Sequence, residues 1–153
     1  MAWTRLGAVE RLPPRSGSIT TTATQELPLR LASIYDELAA VIIKYAPSEL
    51  SIETIYHKGN PKSSLATAQA RGVALVAAAR RSLTVNEYAP SAIKQALVGN
   101  GSATKQQVQF MVRSVLGLDH TPEPHHAADA LAAAICHAHQ RRYNGLDSRK
   151  GTA

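Results

Sequence analysis

Apolar side chains recur along this chain in two rhythms, and the rhythm changes several times. Leu31, Ile34, Tyr35, Leu38, Val41, Ile42 and Tyr45 fall at i, i+3, i+4, i+7 spacing, which predicts an amphipathic helix over residues 28–45 ended by Pro47. Leu50-Ser51-Ile52-Glu53 then alternates as a short strand over 49–53, followed by a loop from Thr54 to Pro61. Residues 62–82 form a long Ala-rich helix with almost no polar surface over 73–79, so it is buried either in the domain or against a partner chain. A strand over 83–88 stops at Ala89-Pro90. Helix 90–98, the loop Gly99-Asn100-Gly101-Ser102, helix 103–116 and helix 125–142 complete the fold. The first 22 residues are the least patterned. Leu6-Gly7-Ala8-Val9 and Ser18-Ile19-Thr20-Thr21-Thr22 can pair as a hairpin, which needs a larger sheet to stabilise it. Strands alternating with helices give an α/β fold, with one domain over 1–142 and a frayed tail over 143–153.

Composition narrows the class. No apolar run approaches the roughly 20 residues of a membrane span, and the N-terminus lacks a charged-then-apolar signal pattern, so a cytoplasmic protein is expected. Cys136 is the single cysteine, which fits a reducing compartment and a packed side chain on a helix. Between residues 58 and 113 there are eight basic residues and one acid, Glu87, while the whole chain carries +6. The basic charge is therefore concentrated in the middle, as a polyanion partner requires.

The candidate chemistry is metal-assisted. Glu53 ends an apolar strand, and His126 and Asp129 sit one helical turn apart near the start of the last helix, surrounded by alanines. A glutamate after a strand can simply sit in solvent, and an Asp near a helix N-terminus can simply answer the dipole. Together the three supply a mixed nitrogen and oxygen donor set for a hard divalent cation, and two such ions roughly 3.5–4 Å apart can clamp a phosphoryl transfer. His125 projects about 100° away from His126, so His126 is the better placed. A zinc site built on His120, His125 and His126 is disfavoured because no Cys pair accompanies them. Gly99-Asn100-Gly101-Ser102 leading into a helix with Lys105 in its first turn suggests a phosphate seat, with Lys94 one short helix away. Tyr56, among His57, Lys58 and Asn60, can stack on an unpaired base.

Several segments, in order, resemble the RuvC-type Holliday junction resolvases: Ile52-Glu53-Thr54-Ile55-Tyr56 with Asn60; Ala68-Gln69-Ala70-Arg71-Gly72-Val73-Ala74; Glu87-Tyr88-Ala89-Pro90 with Lys94-Gln95; Gly99-Asn100-Gly101 with Lys105-Gln106-Gln107-Val108-Gln109; and Ala127-Ala128-Asp129-Ala130-Leu131-Ala132. They span residues 27–139. The resemblance implies an RNase H-like mixed sheet flanked by helices. It also implies a homodimer that nicks four-way junction DNA symmetrically, with Mg²⁺ or Mn²⁺, beside a branch-migration motor complex. Residue by residue, Glu53 and Asp129 match catalytic carboxylates and His126 matches a position held by Asp or His. Lys94 and Lys105 match basic residues at the cut phosphate, and Tyr56 matches the loop aromatic. Lys58, Asn60 and Arg71 join the expected DNA-contacting set, and the helix over 63–81 becomes the dimer contact.

The front of the sequence departs from the pattern. The family opens with an apolar strand ending in Asp-Pro-Gly, whose Asp is a metal ligand, whereas Met1 to Glu10 resembles the second strand. That predicts an absent first strand, weakened metal binding and little or no cleavage. The competing expectations are a junction-binding protein without catalysis, and a nuclease of the same fold acting on RNA–DNA hybrids or single strands.

Overall fold

A computed structural model of the chain describes residues 2–5, 15–22, 24–55 and 61–147. Strands β1 (Ala2–Arg5) and β2 (Arg15–Ser18) precede helix α1 (Leu27–Tyr45). Strand β3 (Glu49–Glu53), helix α2 (Pro61–Ala79) and strand β4 (Thr84–Tyr88) follow, then helices α3 (Pro90–Val98), α4 (Lys105–Leu116) and α5 (His125–Asp147).

The helix boundaries follow from local chemistry. Pro28 and Pro90 open α1 and α3, where a missing N–H is harmless. Thr104 and Gln107 form a reciprocal capping box at the start of α4. Gly99 and Gly117 end α3 and α4 in the left-handed region, at φ 76° and 62°. The largest shifts of expected limits are at two helix ends, while α4 begins at Lys105 rather than 103 because Thr104 is its cap. Helix α2 stops at Ala79 rather than 82, because the chain turns at Arg80 and Arg81 and Ser82 takes φ 54°. Helix α5 continues to Asp147, past the expected end at 142.

Strands β1 and β2 pair antiparallel, Ala2 against Ser18 and Arg5 against Arg15. A hairpin is thus formed by 2–5 and 15–18, and residues 19–22, expected as strand, are not; the expected partner at 6–9 lies outside the described residues. Strands β3 and β4 pair parallel, Glu49 against Thr84 and Glu53 against Tyr88. Both senses of pairing expected of a mixed sheet are present, but among the described residues no hydrogen-bond ladder joins the two pairs. Helix α5 packs against β1, β2 and β3 and so spans both.

Strand parity sorts the two faces of β3–β4. Glu49, Ser51 and Glu53 share one face with their register partners Thr84, Asn86 and Tyr88, and α5 covers it. There Ile93, Leu97, Val108, Val112, Leu131, Ile135 and Cys136 close the core between α3, α4 and α5, with Tyr88 against it. Ile52 points the other way, to Ile34, Leu38 and Ile42 of α1 and Ala74 and Ala77 of α2. The result is three layers, helices on both sides of strands.

Helix α2 is buried on one side only. Ala74, Ala77 and Ala78 are sealed against the domain, whereas Leu65 and Val76 are exposed.

Leu131 is fully buried where α3, α4 and α5 meet. Leu131→Ala is expected to lower unfolding free energy by about 3 kcal/mol, the usual loss for deleting a buried leucine. Urea denaturation with an unchanged m value measures it.

Candidate metal and phosphate site

Helix α5 runs antiparallel to β3. Its N-terminal turns, with His126 and Asp129, therefore lie beside the C-terminal end of the strand, where Glu53 stands. The proximity shows in the ionisation of Glu53. Partial desolvation, though the residue is exposed overall, and the negative charge of Asp129 push its carboxyl above the usual range, and Lys94 pulls it back. Lys105, at the start of α4, places Nζ 3.9 Å from Asp129 Oδ2. His126 is exposed and holds Nδ1 3.8 Å from the same oxygen. Four elements thus deliver two acids, two lysines and an imidazole to one region.

A carboxyl held protonated to higher pH by burial and a neighbouring carboxylate is a fit for a cation, because a positive charge there relieves the repulsion. Glu53 and Asp129 are the residues able to hold a hard divalent ion, with His126 beside them. Among the described residues, however, no three His, Cys, Asp or Glu side chains converge closely enough to hold a metal ion. The expected trio is therefore a facing pair with a neighbour, not a finished cage.

The expected phosphate seat is already occupied by the chain. Asn100 Oδ1 accepts from the Ser102 N–H at 3.0 Å and from the Ser102 hydroxyl at 2.8 Å. The Ala103 N–H donates to the Asn100 carbonyl. Thr104 N–H donates to Gln107 Oε1 and Gln107 N–H to Thr104 Oγ1. The loop spends these four amides on its own caps, which narrows the cradle and leaves Lys94 and Lys105 as its charged groups.

Arg71 lies elsewhere. It pairs with Glu87, whose parity on β4 puts it on the α1–α2 face, opposite to Glu53 and Asp129. Tyr56, Lys58 and Asn60 lie outside the described residues.

One polar group escaped the sequence reading. His137 bridges Glu49 and Tyr88, and Arg141 also reaches Glu49. The histidine sits mid-way along an Ala-rich helix and the glutamate starts a strand, so the sequence offered only two titratable residues in apolar elements, far apart in the chain.

The comparisons with known proteins agree with one another. The family model "Crossover junction endodeoxyribonuclease RuvC" matches residues 9–137. A RuvC of Syntrophomonas wolfei is 49% identical over 130 residues, covering 85% of this chain and 76% of the relative. One of Dehalococcoides mccartyi is 47% identical over 132 residues, covering 86% and 79%. A Thermus thermophilus RuvC structure superposes with a TM-score of 0.80 at 30% identity, covering 92% of this chain and 87% of that one. The same organism's RuvC in complex with a Holliday junction substrate gives 0.75 at 30% identity, covering 86% and 80%. With this three-layer fold, acids at one end of β3 and α5, and matches along most of its length, the chain belongs to the RuvC family of crossover junction endodeoxyribonucleases.

Proposed function

We propose that this protein resolves four-way DNA junctions by nicking two strands symmetrically, with Glu53 and Asp129 as its metal-holding carboxylates. The observation that carries the site is the meeting of these two acids, from β3 and α5, with Lys94 and Lys105 beside them. The family is one of metal-dependent nucleases, and Mg²⁺ or Mn²⁺, two per site, is the cofactor proposed here. When bound, such ions supply Lewis-acid activation of water and neutralise phosphoryl charge.

The chain's own residues do the rest. Glu53 and Asp129 supply anionic oxygens. Lys105 and Asp129 form a solvent-exposed pair, which is weak, so the ammonium leaves it for a phosphate at little cost. Lys94, half-buried near Glu53, adds a second positive charge where a phosphoryl oxygen gains charge. His126 turns freely in solvent and offers an imidazole to an ion, a donor that suits Mn²⁺ better than Mg²⁺. Tyr56, Lys58 and Asn60 are assigned to contacts with the junction arms, whereas Arg71, expected to join them, is engaged by Glu87 on the opposite face. A second reading, junction binding with little catalysis, is favoured by the absence of a third converging donor among the described residues.

The exposed Leu65 and Val76 on α2 support a homodimer formed through that helix. A branch-migration motor complex is the proposed partner in the cell and the cytoplasm the proposed compartment. Among the described residues no helix is long and apolar enough to cross a membrane.

A labelled four-way junction, incubated with no metal, Mg²⁺ and Mn²⁺ at fixed salt, tests the proposal by scoring retardation and paired nicks together. Metal-dependent paired nicks are expected, slow because no third acidic donor converges with Glu53 and Asp129 among the described residues, and faster in Mn²⁺. Glu53→Gln and Asp129→Asn should abolish nicking, by at least roughly a hundredfold, and keep retardation. His126→Asp should narrow the gap between the two metals. Retardation without nicks in any metal favours the second reading, and no preference for the junction over duplex sinks both.

The raised ionisation of Glu53 sets a pH limit. Without metal its proton is held to higher pH than that of an ordinary glutamate, so at limiting metal the loading of the site, and cleavage with it, fall as pH drops through that raised value. Asp129→Asn removes one raising cause, so carboxyl-carbon NMR titration should show Glu53 moving down toward the ordinary value. The sign for folding is opposite: ionised Glu53 opposes the fold, so Glu53→Gln should melt no lower than the unaltered protein at neutral pH. For the dimer, Val76→Glu should sediment as a monomer where the unaltered chain sediments as two copies.

A further inference from the structure

Two turns beyond Asp129, α5 carries polar side chains that the proposed chemistry does not use. His137 Nε2 lies 2.6 Å from Glu49 Oε2, and its Nδ1 lies 2.8 Å from the Tyr88 hydroxyl. Arg141 Nη1 reaches Glu49 Oε1 at 3.0 Å, and Asn86 Nδ2 donates to Glu49 Oε2 at 3.4 Å. The Glu49 and His137 side chains are mostly covered, at 22% and 14% exposure. The polarities close with the ring proton on Nε2: it donates to the carboxylate, and Nδ1 accepts from the tyrosine. Desolvation, with the nearby Cys136 and Glu49, pushes the Tyr88 hydroxyl up, so it stays a donor. One imidazole ring therefore joins β3, β4 and α5.

The spacing ties this clasp to the site. Glu49 and Glu53 stand at the two ends of β3 on one face, roughly 13 Å apart at strand rise. His137 and Asp129 are eight residues apart on α5, roughly 12 Å at helix rise. With helix and strand antiparallel, fixing His137 on Glu49 fixes Asp129 beside Glu53. Leu131, Ile135 and Cys136 seat α5 on α3 and α4, whereas the polar contacts that tie it to β3 are those of the clasp. Ala127, Ala128, Ala132 and Ala133 are all buried, and small side chains pack closely without forming a stop. A slip by one residue shifts Asp129 by about 1.5 Å along the axis and about 100° around it.

We propose that His137 is a positioning residue for the nuclease site, its clasp on Glu49 and Tyr88 setting the register of α5 on β3 and so holding Asp129 against Glu53. This rests on the reading of Glu53 and Asp129 as the metal-holding pair.

The test compares His137→Leu, which removes both hydrogen bonds, with His137→Gln, which restores a donor and an acceptor on one planar group. Three readouts are taken on the full chain: carboxyl-carbon NMR shifts of Glu53 and Asp129 without metal, single-turnover nicking of saturating junction, and thermal melting. In His137→Leu the two carboxyl resonances should move and nicking should slow by on the order of tenfold to a hundredfold at unchanged junction affinity. In His137→Gln both should return toward the unaltered protein. The proposal is overturned if His137→Leu keeps the carboxyl resonances in place while only melting falls, or if His137→Gln fails to restore them. Failure of the site reading shows separately, as normal nicking by Glu53→Gln or Asp129→Asn.

Discussion

The antiparallel seating of α5 on the β3–β4 pair is the constraint on which everything else rests. Neither element means much alone. The strand offers a carboxylate at each end of one face, and the helix offers an Asp in its second turn and a His two turns later. Laid against each other in opposite directions, they pair acid with acid at one end and acid with imidazole at the other. The first pairing is electrostatically unfavourable and the second favourable. The fold thus holds a repulsive contact in place with an attractive one about two helical turns away, supported by a core of Leu131, Ile135 and Cys136 packed on α3 and α4.

The other face of the strands serves a different purpose. Ile52 packs into α1 and α2, and Arg71 is held by Glu87 instead of reaching the acids. Charge that is merely nearby in sequence is thereby divided by the sheet. The basic surplus of the central segment does not act as a unit: Lys94 and Lys105 lie with the carboxylates, whereas Arg71 stabilises the opposite layer.

Much of this was legible before any coordinates. The helices were written in their apolar period, and β3 and β4 in their alternation. Glu53 and Asp129 stood out because each is an acid in an otherwise apolar stretch. Less local features were hidden. The hairpin strands 2–5 and 15–18 carry little alternation, so the β-branched run at 18–22 drew attention away from them. The Gly99–Ser102 loop looked like an open amide cradle because sequence shows which N–H groups exist but not which are spent. Asn100 takes up the Ser102 N–H with its side chain and the Ala103 N–H with its carbonyl, and Thr104 takes up that of Gln107. His137 was invisible for a related reason: its meaning depends on Glu49, which lies far away in the chain and is brought to it only by the seating of α5.

That closed loop has a chemical consequence. An amide cradle grips an anion through fixed, directional dipoles, and it persists whatever happens to the side chains. In the proposed site the grip on phosphate belongs to two ammonium groups on long stems, each a nearly spherical charge that accepts an oxygen from many directions. Such a grip tolerates a backbone whose local shape varies, as at a crossing of strands. It is also erasable, since acetylation of either lysine removes the charge without disturbing a single cap of the fold.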